Sequence, residues 1–280
     1  MKPQHVADYA ITRRTFAARS ILVPMAAFLS ATRSVRARQT SSPPARPDPT
    51  LIDELVAANR ILAKHGIVDG FGHVSVRHDH NPNRYLLSRS LAPELVTADD
   101  ILELDLESTP IDAKGRTLYS ERFIHGEIYK ARPDVKAVVH CHAASLIPFG
   151  VSTVPLRAVY HMAAFIGDGV PVFDIREAGG TTDMLVSDRD RGRPLARTLS
   201  NRAVVLMRGH GAVIVGSSIP IAVGRSIYLD LNARLQAQAV ALGGPITYLD
   251  PGEARSILAA GENGGYQRPW ELWKREASSK

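Results

Sequence analysis

The run Val138-Val139-His140-Cys141-His142 puts two imidazoles two residues apart at the end of an apolar, β-type segment. On a strand, residues i and i+2 point to one face, so His140 and His142 converge while Cys141 faces the other way. Two imidazoles fixed on a strand end make half of a site for zinc or another divalent ion. Alone, the pattern fits equally two ordinary polar residues where a strand opens into a turn. A second signal lies downstream in Arg208-Gly209-His210-Gly211, one histidine between glycines, just after the strand-like Ala203-Val204-Val205-Leu206-Met207. His210 from a neighbouring strand end would complete a three-histidine site with an open position for substrate, the arrangement of catalytic rather than structural metals.

Such a site has a definite chemistry. A divalent ion chelated by a substrate's hydroxyl and carbonyl, or hydroxyl and carboxylate, withdraws electrons from the adjacent C–C bond. It stabilises the negative charge that gathers on an enolate-type oxygen as that bond breaks. A nearby carboxyl group then has to move the proton, and Glu121 suits that task if burial raises its pKa towards neutrality. The other reading of Glu121 is a helix-start carboxylate facing the dipole, worth only about a few tenths of a kcal/mol.

The elements that must position these residues alternate between helix and strand. Leu51, Ile52, Leu55, Val56, Ala58, Ile61 and Leu62 recur at helical spacing up to Gly66. His73–Arg77 and Tyr85–Ser88 read as paired strands across a turn rich in Asn, Asp and Pro, and residues 101–106 alternate as a third strand. A helix over 121–131 ends before Pro133. Strands follow over 135–142, 170–173, 203–207 and 212–215, then a long helix from about 219 to 241. Gly-Pro and Asn-Gly punctuation marks a C-terminal tail from about residue 245. There is no internal repeat and no second core, so residues 50–280 read as one α/β domain, a sheet with helices packed on its faces.

The first 49 residues read as a leader and a Pro/Ser-rich linker. Arg13-Arg14-Thr15-Phe16 precedes a short apolar run, Ile21 to Leu29, and Val35-Arg36-Ala37 has a small-x-small cleavage pattern. This describes an export signal of the twin-arginine kind, with a mature chain starting near Arg38 in the periplasm; a disordered basic tail on a cytoplasmic protein is the alternative. The apolar run is too short for stable membrane insertion. Residues 1–50 hold eight Lys and Arg against two Asp and Glu, so of the chain's 34 basic and 28 acidic residues the body keeps 26 of each. The net charge of +6 belongs to the leader, and nothing in the body calls for nucleic-acid binding, which needs a basic face. The single cysteine excludes an intramolecular disulfide.

Gly72-His73-Val74-Ser75-Val76-Arg77, Ser120-Glu121, His140-Cys141-His142 and Gly209-His210-Gly211 occur in the order and approximate spacing of class II aldolase/adducin domains, which the chain resembles over roughly residues 50–245. The resemblance implies a three-layer α/β/α domain with a central, mainly antiparallel sheet. It also implies a homotetramer with active sites at subunit boundaries. By the same resemblance, His140, His142 and His210 are the metal ligands and Glu121 is the acidic catalytic residue. The adducin headpieces of this family, non-catalytic interaction modules, lack a complete metal triad; this chain has one, which favours an enzyme. Three imidazoles accept Zn, Mn, Fe or Co, with zinc the first expectation.

The chain departs from the sugar-phosphate aldolases of that family in three places. Gly72-His73 stands where they have Gly-Asn, Ser88-Arg89-Ser90 replaces a glycine-bearing phosphate loop, and Tyr119 replaces the first of two serines before the catalytic acid. A guanidinium in place of a glycine favours a planar carboxylate over a phosphate cradle. The stretch 87–96 and the late Arg268-Pro269-Trp270-Glu271-Leu272-Trp273 resemble the branch that decarboxylates pyridine dicarboxylates or dihydroxyphthalates. The expected small-molecule substrate is therefore a hydroxylated aromatic (di)carboxylic acid, with aldol cleavage of a sugar or sugar phosphate as the alternative. His73, Ser88, Arg89, Ser90, Ser120 and His161 are the expected substrate contacts; His73, His161 and Arg89 each have a bland reading as core or surface residues.

Overall fold

The computed structural model describes residues 46–278, so the segment expected to be an export leader lies outside the described residues. The elements run α1 (Pro49–Lys64), β1 (His73–Arg77), β2 (Arg84–Ser88), β3 (Ile101–Asp105), α2 (Arg122–Ala131), β4 (Ala137–Cys141) and the short α3 (Ile147–Val151). They continue with β5 (Val172–Phe173), α4 (Arg176–Gly179), α5 (Arg189–Leu199), β6 (Val204–Met207), β7 (Gly211–Gly216) and α6 (Ile219–Leu242). Helices α7 (Pro251–Ala259) and α8 (Gln267–Ser278) complete the described chain. Local chemistry sets several of the boundaries. Asp48 and Ser218 accept amide hydrogens at the starts of α1 and α6, each followed by Pro in the first turn.

The strands form one sheet in the order β3-β2-β1-β4-β7-β6-β5. Every pairing is antiparallel except that of the two-residue β5 with β6. Both faces of the sheet are covered, so the alternation of the pleat divides the core in two. Val74, Val76, Val139, Cys141, Leu206 and Ile214 pack in one cluster with Leu55, Leu62, Val223 and Trp270 of α1, α6 and α8. Val138, Leu87, Leu104, Val205 and Val213 pack on the other face with Ile124, Ile128 and Leu195 of α2 and α5. This is the three-layer, mainly antiparallel architecture expected from the sequence.

The differences are local. The strand expected over 135–142 spans Ala137–Cys141, with Lys136 already bonded through its backbone to Gly216 and Arg77; His142 lies just past the last ladder pair, Cys141 with Ala212. Glu121 sits at the position before α2 rather than inside it. The stretch read as a C-terminal tail folds as α7 and α8 and buries Trp270 and Trp273, which are 1% and 6% exposed. Asp250 and Glu253 close a capping box at the start of α7. Helix α5 had no counterpart in the sequence reading. No helix among the described residues is long and apolar enough to cross a membrane.

What matters for chemistry is the middle of the sheet, where β1, β4 and β7 are neighbours. The N-terminal end of β1, the C-terminal end of β4 and the turn from β6 into β7 meet at one edge, with His73 directly opposite His140 in the ladder.

Candidate active site

Each of the three candidate ligands arrives by its own device. His140 is the last-but-one residue of β4 and is fully buried; His142 follows where the strand ends. His210 occupies the tight turn between β6 and β7. Gly209 there has φ +61°, a left-handed conformation that favours glycine. A Cβ on Gly211 would press into the carbonyl oxygen of Cys141, so only glycine lets β7 approach β4 this closely. The Gly-His-Gly sequence is thus a requirement of the turn that presents the imidazole. Cys141 faces the opposite core, where burial pushes its thiol up to about 11 and keeps it out of the site.

The ligand atoms converge. His142 Nε2 lies 3.1 Å from both His140 Nε2 and His210 Nε2. Glu121 Oε2 lies 3.4 Å from His140 Nε2 and from His210 Nε2, and all four donor atoms fall within 4.8 Å of one another. The outer nitrogens settle the tautomers. His140 Nδ1 meets the Ala212 carbonyl at 3.2 Å and His210 Nδ1 the Met184 carbonyl at 3.0 Å. A carbonyl only accepts, so both Nδ1 atoms carry hydrogen, which leaves each Nε2 facing inward as the nitrogen available to a cation. Three imidazole nitrogens and a carboxylate facing each other call for a cation. The 3.1 Å spacing is close to the edge of a tetrahedron with metal–nitrogen bonds of about 2.0–2.1 Å. The residues present therefore fit a divalent ion.

The charge state of Glu121 corrects one expectation. Burial would raise its carboxyl, but hydrogen bonds and attraction from His140 and His210, which act when those rings carry a proton on Nε2, outweigh it and hold the group well below the usual carboxylate range. The shift favours the ionised carboxylate of Glu121. Its Oε1 accepts the Val186 amide at 2.9 Å, which fixes the rotamer. Burial and then the neighbouring imidazoles bring His142 down to about 4; for His210, burial acts in the opposite sense but Glu121 and the Met184 carbonyl raise it.

A cavity of about 360 Å³ opens onto this cluster, with Phe71, His73, Ser90, Tyr119, Ser120 and His142 on its walls and Glu121 at its base. Phe71, His73, Tyr119 and His142 bring four rings to those walls. The His73 ring lies 4.6 Å from that of Tyr119 and 5.1 Å from that of His140, and Phe71 stands 6.5 Å from His142. Tyr119 is fixed through its hydroxyl, which contacts Ser88 Oγ at 3.2 Å and donates to the Leu91 carbonyl.

Of the expected substrate contacts, His73, Ser90 and Ser120 line the cavity. Ser88 does not: it is 1% exposed and lies behind Tyr119. Arg89 turns away, because its Nε donates to Asp100 Oδ1 at 2.6 Å in the loop before β3. His161 is exposed and borders a different cavity, with Tyr228 and Arg268. Three residues of the site were not identified from sequence, the first being Phe71 on the cavity wall. Tyr119 was noted only as a departure from a serine. His125, buried on α2, contacts His73; its signal was a histidine inside the apolar stripe of Ile124 and Ile128.

Comparison with known proteins agrees with this geometry. Residues 53–237 match the family model of the class II aldolase and adducin N-terminal domain. Decarboxylase tropJ of Talaromyces stipitatus is 35% identical over 247 residues, covering 80% of this chain and 92% of that protein. The 3,4-dihydroxyphthalate decarboxylase of Arthrobacter keyseri is 28% identical, covering 78% and 90%. Among solved structures, L-fuculose 1-phosphate aldolase from Glaciozyma antarctica superposes with a TM-score of 0.68 at 25% identity, covering 84% of this chain and 93% of that one. The chain belongs to the class II aldolase and adducin family, among its carbon–carbon lyases.

Proposed function

We propose that the protein is a metal-dependent decarboxylase of a small hydroxylated aromatic (di)carboxylic acid. The observation that carries this reading is a pocket lined by the rings of Phe71, His73 and Tyr119 that shares Glu121 and His142 with the Glu121–His140–His142–His210 cluster. Aromatic rings on a pocket lining suit a planar aromatic substrate, which can stack or pack edge-to-face on them. Both relatives compared above are named decarboxylases, and the name of the second, 3,4-dihydroxyphthalate decarboxylase, supports the same substrate class.

His140, His142 and His210 would hold the ion, zinc being our first choice for three imidazoles. When bound, it supplies Lewis-acid stabilisation of the negative charge left on substrate oxygen as the C–C bond breaks. The chain's own residues do the rest. Phe71, His73 and Tyr119 orient the ring and exclude water from its faces. Glu121 Oε2, ionised, takes a proton from a substrate hydroxyl on binding and returns it to the ring carbon that has released CO2. The balance is one carboxylate and one proton converted to a C–H bond and CO2.

A screen of the metal-loaded protein for CO2 release from hydroxylated aromatic dicarboxylates, and for aldehyde release from free and phosphorylated sugars, tests the reading. We expect CO2 from the aromatic acids and no aldehyde; aldehyde from a sugar phosphate would overturn it. We further propose a homotetramer with sites at subunit boundaries, supported by Phe71, which stands 71% exposed at the pocket mouth. Light scattering giving the mass of a monomer at micromolar concentration would refute it. Export rests on Arg13-Arg14 and the apolar run after it. In a bacterium with an intact twin-arginine system the chain should reach the periplasm, and Arg13→Lys with Arg14→Lys should keep it in the cytosol; recovery of the uncleaved wild-type chain from the cytosol alone would contradict export.

A further inference from the structure

His73 ends a hydrogen-bonded chain that runs from the pocket into the layer under α2. Its Nδ1 lies 2.6 Å from His125 Nε2, and His125 Nδ1 lies 2.6 Å from Ser75 Oγ. Ser75 Oγ meets the Tyr129 hydroxyl at 2.8 Å, and that hydroxyl reaches the Lys136 carbonyl at 3.4 Å. His73 is 4% exposed, Tyr129 1%, and Ser75 and His125 not at all. His125 and Tyr129 are four residues apart on α2 and so share a face, while Ser75 projects from the same face of β1 as His73. Arg77 secures the far end: its guanidinium lies 4.7 Å over the Tyr129 ring and donates to the Tyr129 carbonyl at 2.8 Å.

The direction of the chain follows from its last member. A carbonyl only accepts, so Tyr129 donates to Lys136. The Ser75 hydroxyl then donates to Tyr129, His125 Nδ1–H to Ser75, and His73 Nδ1–H to His125 Nε2. Every hydrogen in the chain is paired in this sense. The reverse sense would take the Tyr129 hydroxyl hydrogen away from the Lys136 carbonyl and give it to Ser75. His73 Nε2 is therefore a bare lone pair on the pocket wall.

We propose that His125, backed by Ser75 and Tyr129, is a positioning residue that locks His73 in its Nδ1–H form, so that His73 Nε2 accepts a hydrogen bond from a hydroxyl of the substrate. The substrate class rests on the function proposed above; the lock does not. A ring hydroxyl on the His73 side is then required, and an aromatic acid without one is rejected, because a site built to pair a hydroxyl discriminates strongly against its absence.

The test uses zinc-loaded full-length protein with 15N-labelled histidine, read by long-range 1H–15N spectra and by calorimetric titration with 3,4-dihydroxyphthalate and with phthalate. The wild type should show hydrogen on His73 Nδ1. In Tyr129→Phe the Ser75 hydroxyl loses its phenolic acceptor and turns to His125 Nδ1, which reverses the chain and puts hydrogen on His73 Nε2. Affinity for the dihydroxy acid should then fall about tenfold or more, while that for phthalate holds or improves and zinc content is unchanged. Should that variant not fold, Ser75→Ala cuts the chain one link earlier and should give His73 in mixed tautomers. Hydrogen on His73 Nε2 in the wild type, or equal loss of both ligands in Tyr129→Phe, would overturn the inference. If neither acid binds, the proposed substrate class fails, and the His73 tautomer alone decides the lock.

Discussion

Two histidine clusters lie side by side in this molecule, and they are built on opposite rules. In the first, His140 and His210 bind backbone carbonyls through Nδ1, and their Nε2 atoms turn inward with His142 and the Glu121 carboxylate. In the second, His73 and His125 join a serine and a tyrosine so that donor follows acceptor without a break. Two members, His73 and His140, are ladder partners with rings 5.1 Å apart. Burial is therefore shared and does not distinguish them. It lowers His125 to about 3 and holds His73 well below the ordinary imidazole range, so both rings stay neutral. The difference lies in what each ring's outer nitrogen meets. A cluster that gathers three imidazole nitrogens and a carboxylate at one point has the donor set for a cation; a cluster that alternates donor and acceptor is already paired within itself.

The sharpest way to break this comparison is to remove one inward nitrogen. His210→Ala should abolish most bound metal and cut turnover by about 10³-fold or more, with the circular dichroism of the fold kept, since a vacated open-site ligand is not part of either core. Retained full metal occupancy would show that the inward set is misassigned. Next in size is Glu121→Gln, which preserves shape and the Val186 contact but removes the basic oxygen. Turnover at saturating substrate should fall by about 10²-fold while metal stays bound. Normal turnover would reduce Glu121 to a cap before α2. A change in the other layer should leave both clusters alone: Trp270→Ala, 1% exposed against α1, should cost about 3–5 kcal/mol of stability in denaturant unfolding. Metal affinity of the folded fraction should not move, and a parallel loss of metal would mean that the C-terminal helices help to build the site. The smallest effect is expected from Arg89→Lys. Arg89 is 36% exposed and paired with Asp100, a pairing that Lys can keep at a cost of about 1 kcal/mol or less. A large rise in KM for a dicarboxylate would return Arg89 to the substrate, where the sequence had placed it.

The first cluster was legible in the sequence because its signals are local. Spacing on a strand end gave His140 and His142, and the glycines around His210 are demanded by a turn and a close strand approach. The second cluster was not, because His125 lies on a helix and meets Ser75 and His73 only through packing across some fifty residues. Arg89 misled for a related reason: its place beside the pocket loop is a fact of sequence, while its orientation is set by Asp100 eleven residues on. At the level of fold, strands with clear alternation and the long α6 could be read directly. Helix α5 hid behind its charges and the internal Pro194, burying only Gly192, Leu195, Ala196 and Leu199. Helices α7 and α8 hid behind the glycines and prolines that separate them, although their tryptophans fill the core.

The central claim, that the inward-facing cluster holds the ion on which C–C cleavage depends, is tested most directly by titrating chelator-stripped protein with zinc while following CO2 release from 3,4-dihydroxyphthalate. The account predicts that activity rises in proportion to bound zinc and saturates at one ion per chain, and that the ion and the activity are lost together in His210→Ala. Undiminished CO2 release from protein stripped of metal would contradict it.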